Sequence, residues 1–302
     1  MSRPVRAFSG PLSDLRCGVG AAGVLSSRAF LRKPAFSGMS APPETDSDFV
    51  QARPGLGNEL RLALAFLTRL PVRLPAHVAD LPLAAAVRAF PLAGVPVALA
   101  GAAVYALAWT LGIPPALAGL LAVATTAALT GALHEDGLAD FADAGGGRER
   151  ARRLAIMRDS RIGTFGVLAL VVATGLRAGA ISYLADPLEV ATALVAAACA
   201  SRACIVYAMH ALPFARSDGL ARRAGRPGKA RTLDALAIGA AFLLFAGGLA
   251  ALLAVAFAGL ATWAAVRRAR HLLGGQTGDV LGSVQQVAEI GVLLACLAAQ
   301  SW

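Results

Sequence analysis

From residue 90 onward, long apolar runs alternate with short polar connections, and each run is apolar on all sides rather than along one stripe. A helix needs about 20 such residues to cross the hydrocarbon of a bilayer, with about 17 as the practical minimum. Residues 90–112, 116–134, 163–184, 188–212 and 280–300 meet that length. The run 233–266 exceeds it and is read as a hairpin broken at Gly247 and Gly248. The stretch 58–70 is shorter and amphipathic and ends before Pro71, which suits a helix lying at the interface. The predicted fold class is all-α: a polytopic integral membrane helical bundle of about seven transmembrane helices plus an N-terminal amphipathic helix.

The arginines give this bundle a sidedness. The connection 135–162 carries Arg148, Arg150, Arg152, Arg153, Arg158 and Arg161, and the connection 213–232 carries Arg216, Arg222, Arg223, Arg226, Lys229 and Arg231, whereas 112–115 and 185–187 carry no Lys or Arg. Basic loops stay in the cytoplasm, so both arginine-rich connections are placed there, in a multi-pass protein of the bacterial inner membrane. Breaking the run 233–266 returns Arg267, Arg268 and Arg270 to the same side.

Composition agrees. Of 302 residues, 57% are apolar and only 15% charged, with a mean hydropathy of +0.64, outside the range of a soluble domain. The net charge of +10 would suit nucleic acid, but the arginines sit in short loops where topology and anionic headgroups account for them, so no nucleic acid partner is expected. Cys17, Cys199, Cys204 and Cys296 form no C-x-x-C pair and read as small core residues. Residues 1–55, rich in Ser, Pro, Gly and Arg, read as a disordered extension or as the product of a misplaced start with Met39 as the initiator; 56–302 form the membrane domain.

The polar segments hold the chemistry. In the stretch 131–147, Asp136, Asp140 and Asp143 fall within roughly 60° of arc at 100° per residue. Three carboxylates on one helical face suit a hard cation such as Mg²⁺, which would bridge to substrate phosphates, and they equally suit a solvated acidic turn closed by Gly145. Arg158, Asp159, Ser160 and Arg161 precede a glycine-punctuated helix start, the makeup of a phosphate site and also of ordinary membrane anchoring. Arg216 is open to the same two readings. A third polar cluster, 274–282, contains Thr277 and Asp279, the latter suited to a metal or hydroxyl contact. Glu289 lies in apolar sequence and is either functional or paired with Arg177 or Arg202. His134 and His210 sit near span ends and read as interfacial.

Five segments in order, 66–72, 133–143, 159–166, 211–216 and 274–282, resemble the signatures of the cobalamin synthase family and cover 57–302. The resemblance implies a Mg²⁺-dependent transferase that joins adenosylcobinamide-GDP to α-ribazole or its 5'-phosphate, with release of GMP. It further implies that Asp136, Asp140 and Asp143 are the catalytic and metal carboxylates, and that Arg158, Asp159, Ser160, Arg161, Arg216, Thr277 and Asp279 contact substrate; a homo-oligomer is compatible with it. Glu135 stands where the family has an apolar residue, and Gln286 where a glutamate is expected. Two other readings compete. A CDP-alcohol phosphotransferase would carry an Ala-Arg pair soon after Asp-Gly, whereas Asp136-Gly137 is followed by Leu138-Ala139-Asp140. A transporter would line a mid-bilayer path with Arg177, Arg202 and Glu289.

Overall fold

The computed structural model describes residues 54–300. The expected extension 1–55 lies outside them, apart from Pro54 and Gly55, so neither the disorder nor the alternative start is addressed. Among the described residues the chain is helical, with a single isolated bridge between Phe214 and Gln276 as its β element. The helices are α1 (Leu56–Leu67), α2 (Phe90–Thr110), α3 (Pro115–Thr130), α4 (Leu133–Asp143), α5 (Arg150–Ile156), α6 (Thr164–Leu184), α7 (Pro187–Ala211), α8 (Lys229–Leu243), α9 (Gly248–Leu273) and α10 (Gly278–Ala299). Ala76–Ala79 and Leu220–Ala224 are single turns between them.

Local sequence explains the boundaries. Proline opens α3 and α7, where its missing N–H costs nothing, and Asp186 caps α7 by accepting from the N–H groups of Leu188 and Glu189. Thr277 caps α10 by accepting from Val280 N at 3.2 Å. The apolar run 233–266 is not one helix, because it breaks at Gly247 (φ 76°) and Gly248 (φ 24°).

The count of seven spans is not reached. Five helices are long and apolar enough to cross a membrane, namely α2 with the turn before it, α6, α7, α9 and α10, and α3 with α4 makes a sixth if that bent pair is one span. The shortfall lies in α8, which has 15 residues and opens with Lys229, Arg231 and Asp234. In the most apolar windows of α7 and α10, 72% of residues are buried, against 33% in α6 and 28% in α9. So α7 and α10 form the centre, while α6 and α9 turn residues such as Val171, Leu252, Leu260 and Trp263 outward, where lipid is the natural neighbour. Small residues let the backbones close up, since a Cβ on Gly94 would lie 2.7 Å from Ala198 O on α7, and one on Gly119 2.7 Å from Ala178 O on α6.

Several arginines in the loops and near helix ends satisfy backbone carbonyls. Arg150 donates to Leu273 O (2.7 Å) and Ala215 O (2.6 Å), Arg153 to Leu272 O (3.1 Å) and Arg270 to Ala211 O (3.1 Å). These are the unpaired carbonyls at the ends of α7 and α9 and in the adjoining loop, where a cation also meets the favourable end of the helix dipole.

Candidate active site at the end of the bundle

The acidic segment is not a straight continuation of its span. After Thr130 the chain enters left-handed backbone at Gly131 (φ 64°) and Ala132 (φ 53°), and α4 leaves α3 at 92°. Arg69, in the signature after α1, packs its guanidinium where a side chain at Gly131 would stand, and its backbone N–H donates to Leu129 O at 2.6 Å. The reoriented α4 lies on the start of α10. A Cβ on Gly137 would come within 2.8 Å of Asp279 O, and one on Gly282 within 3.2 Å of His134 O, so glycine at both places permits the contact. His134, expected at the interface, is instead buried in the first turn of α4.

This packing brings Asp140 and Asp279 to one neighbourhood with Arg216 and Arg158. Arg216 is half-buried and donates to Leu154 O at 2.9 Å. Burial pushes its guanidinium below the usual range, Asp279 offsets part of that, and Arg158, Asp218 and Asp140 also act on it. Asp136 is exposed one turn before Asp140 on α4. The two signatures that frame the site from below are zipped together: Ala215 N donates to Gln276 O (2.9 Å) and Gln276 N to Pro213 O (2.7 Å). The Gln276 side chain bonds Met209 O and Leu212 O. Thr277, besides capping α10, donates to Asp279 Oδ2 at 3.3 Å and so orients that carboxylate.

Asp143 faces elsewhere. Its two oxygens accept from Gly163 N (2.7 Å) and Gly166 N (2.8 Å), the free donors at the start of α6. The anion that this helix start was expected to attract is therefore supplied from within the chain, and it ties α4 to α6. Among the described residues, no group of three His, Cys, Asp or Glu side chains is arranged to hold a metal ion. A shared helical face thus does not become a three-carboxylate cluster. Asp136 and Asp140 remain as a pair of hard oxygen donors, which fits Mg²⁺, an ion that commonly takes one or two carboxylates and fills its shell with substrate phosphate and water.

The basic turn is also partly engaged. Arg158 pairs with Asp218 through Nη2, which donates to both carboxylate oxygens at 2.8 and 2.7 Å, in an exposed pair. Arg161 pairs with Asp159 at 2.7 Å, and its hydrogen bonds hold the Asp159 carboxyl at about 2. Ser160 is exposed between them.

Three features had little or no sequence signal. Asp218 is one carboxylate in a basic loop, and the carbonyl clamps of Arg150 and Arg153 resemble ordinary loop charge. The third is the buried network around Arg177. Its Nη1 donates to Glu135 Oε1 and its Nη2 meets Glu289 Oε1, each at 2.8 Å, so Glu135 joins a pairing foreseen only for Glu289. Arg202 donates instead to Ala198 O at 2.8 Å. With these charges committed to one another and to backbone, the transporter reading gains nothing from them.

A family model described as cobalamin-5-phosphate synthase matches residues 59–297. Proteins named adenosylcobinamide-GDP ribazoletransferase are similar over most of the chain. The one from Bradyrhizobium diazoefficiens is 49% identical over 247 residues, 80% of this chain and 94% of the relative. Those from Mesorhizobium japonicum (44%; 81% and 94%) and Azorhizobium caulinodans (46%; 78% and 93%) are close behind. No solved structure matches.

Proposed function

The chain belongs to the cobalamin-5-phosphate synthase family, and from that membership we infer that it is an adenosylcobinamide-GDP ribazoletransferase acting at the end of cobalamin synthesis. In this reading a hydroxyl of α-ribazole, or of its 5'-phosphate, attacks the phosphorus that carries cobinamide. The bond from that phosphorus to the bridging oxygen breaks, and GMP leaves. The observation that carries the assignment to this end of the bundle is the packing of α4 on the start of α10, at Gly137 against Asp279, with Asp140, Asp279 and Arg158 all near enough to act on the charge of Arg216.

A negatively charged diphosphate must be held near carboxylates, and the residues divide that task. Asp136 and Asp140 would hold Mg²⁺. Bound there, the ion supplies charge neutralisation for the diphosphate and for the departing phosphate. Arg216, already desolvated, grips a nonbridging oxygen more strongly than an exposed arginine would. Arg158 becomes available to a phosphate once its Nη2 releases Asp218, an exchange of one anion for another. Asp279, oriented by Thr277, accepts the proton of the attacking hydroxyl. Asp143 keeps α4 fastened to α6. Arg161, Asp159 and Ser160 form the rim over which substrate enters.

The arginine-rich connections support the reading that this end of the bundle faces the cytoplasm from the bacterial inner membrane, where a soluble nucleotide substrate is available. The direct test incubates purified protein in proteoliposomes with adenosylcobinamide-GDP and α-ribazole, with Mg²⁺ or with a chelator. Release of GMP together with a complete corrinoid, only when Mg²⁺ is supplied, is the expected result. Equal turnover under chelation would remove the metal from the account while leaving the transfer standing.

A further inference from the structure

The joint between α3 and α4 is two left-handed residues, and one of them, Ala132, pays the steric cost of a side chain there. An 11-residue helix on such a joint does not hold its own direction. Something must fix the angle at which α4 meets the rest of the site. Its middle is set by the Gly137 contact with α10 and its end by Asp143 on α6. Its first turn is set by Glu135, the residue before Asp136.

Glu135 is held by Arg177, whose side chain is only 4% exposed. Arg177 is rooted in α6. One arm of its fork reaches Glu135 on α4 (2.8 Å) and Gln286 on α10 (3.3 Å), and the other reaches Glu289 on α10 (2.8 Å) and Thr126 on α3 (3.0 Å). Gln286 also donates to Glu135 Oε1 at 3.2 Å. Four helices therefore converge on one planar cation. Arg202 lies near the same two carboxylates, so the buried charges balance as Arg177 and Arg202 against Glu135 and Glu289. A lysine would preserve that balance but has a single donor head, which cannot reach both arms of the network at once.

We propose that Arg177 is a positioning residue for the transfer, fixing the first turn of α4 through Glu135 and thereby the place where Asp136 and Asp140 meet the substrate phosphates. This deepens the reading of the site given above and rests on it. The bond from Glu135 to Arg177 is made one residue from a carboxylate that works at the reacting diphosphate, so a small shift of one is a shift of the other. Displacements of about an ångström are enough to slow a positioned reaction by up to about a hundredfold.

The test compares Glu135→Gln and Arg177→Lys with Glu59→Gln in proteoliposomes, using adenosylcobinamide-GDP, α-ribazole and Mg²⁺. Glu59 is the control because it is also buried in an ion pair, with Arg88 at 2.5 Å, but belongs to α1. The expected result is a kcat lowered about tenfold or more in both Glu135→Gln and Arg177→Lys, with KM for each substrate within about twofold of wild type. Glu59→Gln should lower Tm while retaining kcat. If Glu135→Gln does not assemble, Arg177→Lys carries the comparison. Wild-type kcat in the assembled variants would overturn the proposal, and so would an equal loss of kcat in Glu59→Gln. A wild-type protein that releases no GMP would instead count against the assigned reaction.

Discussion

At the level of single residues, the site is built from carboxylates with different duties. Asp143, spent on two backbone N–H groups, is a fastening; its replacement by Asn leaves one acceptor where two are needed and sets an amide N–H against a backbone N–H. That change should cost about 1 kcal/mol in stability, comparable to loss of a helix cap, and should lower Tm without abolishing substrate binding. Asp218 occupies the Nη2 group of Arg158 that the proposed function assigns to substrate phosphate. Asp218→Asn should therefore lower KM for adenosylcobinamide-GDP by a few fold, consistent with the modest worth of an exposed pair, and leave kcat unchanged. An unchanged or raised KM would show that Arg158 does not meet the diphosphate. Helical spacing made the common face of Asp136, Asp140 and Asp143 legible, but it could not show that Asp143 turns to the start of α6. That outcome depends on where a distant glycine pair, Gly163 and Gly166, is brought by the fold.

At the level of elements, the spans were legible because hydropathy and proline placement act locally, whereas the turn at Gly131 and Ala132 was not. An alanine carries no mark of left-handed backbone, so the apolar run 116–134 reads as one helix although α3 ends at Thr130. The same blindness hides the contact of α4 with α10, which depends on Gly137 and Gly282 lying face to face. Gly137→Ala adds a methyl that would meet Asp279 O at 2.8 Å, and α4 must lift to make room. Activity should fall about tenfold or more while the content of assembled protein in membranes stays near wild type. Gly175→Ala is the matched control, since nothing lies within 4 Å of a Cβ there.

Across the whole molecule, the bundle places its apolar faces outward and gathers its polar signatures at one end. The arginines that give the chain its net charge of +10 include carbonyl clamps and ion pairs, as well as those that the proposed function assigns to phosphate. Charge distribution along the sequence set these loops apart but could not reveal that division, because a clamp and an anchor have the same composition. It also overcounted the spans, since α8 has an apolar sequence but too few residues to match its neighbours. The central claim is that the acidic face of α4 carries the transfer through a cation shared with substrate phosphate. Its most direct test is the Mg²⁺ dependence of GMP release by wild type and by Asp140→Asn, each purified and reconstituted. The account predicts that Asp140→Asn assembles normally and loses about a hundredfold or more in kcat, with the remaining activity needing more Mg²⁺. Wild-type turnover at the wild-type Mg²⁺ concentration in that variant would contradict it.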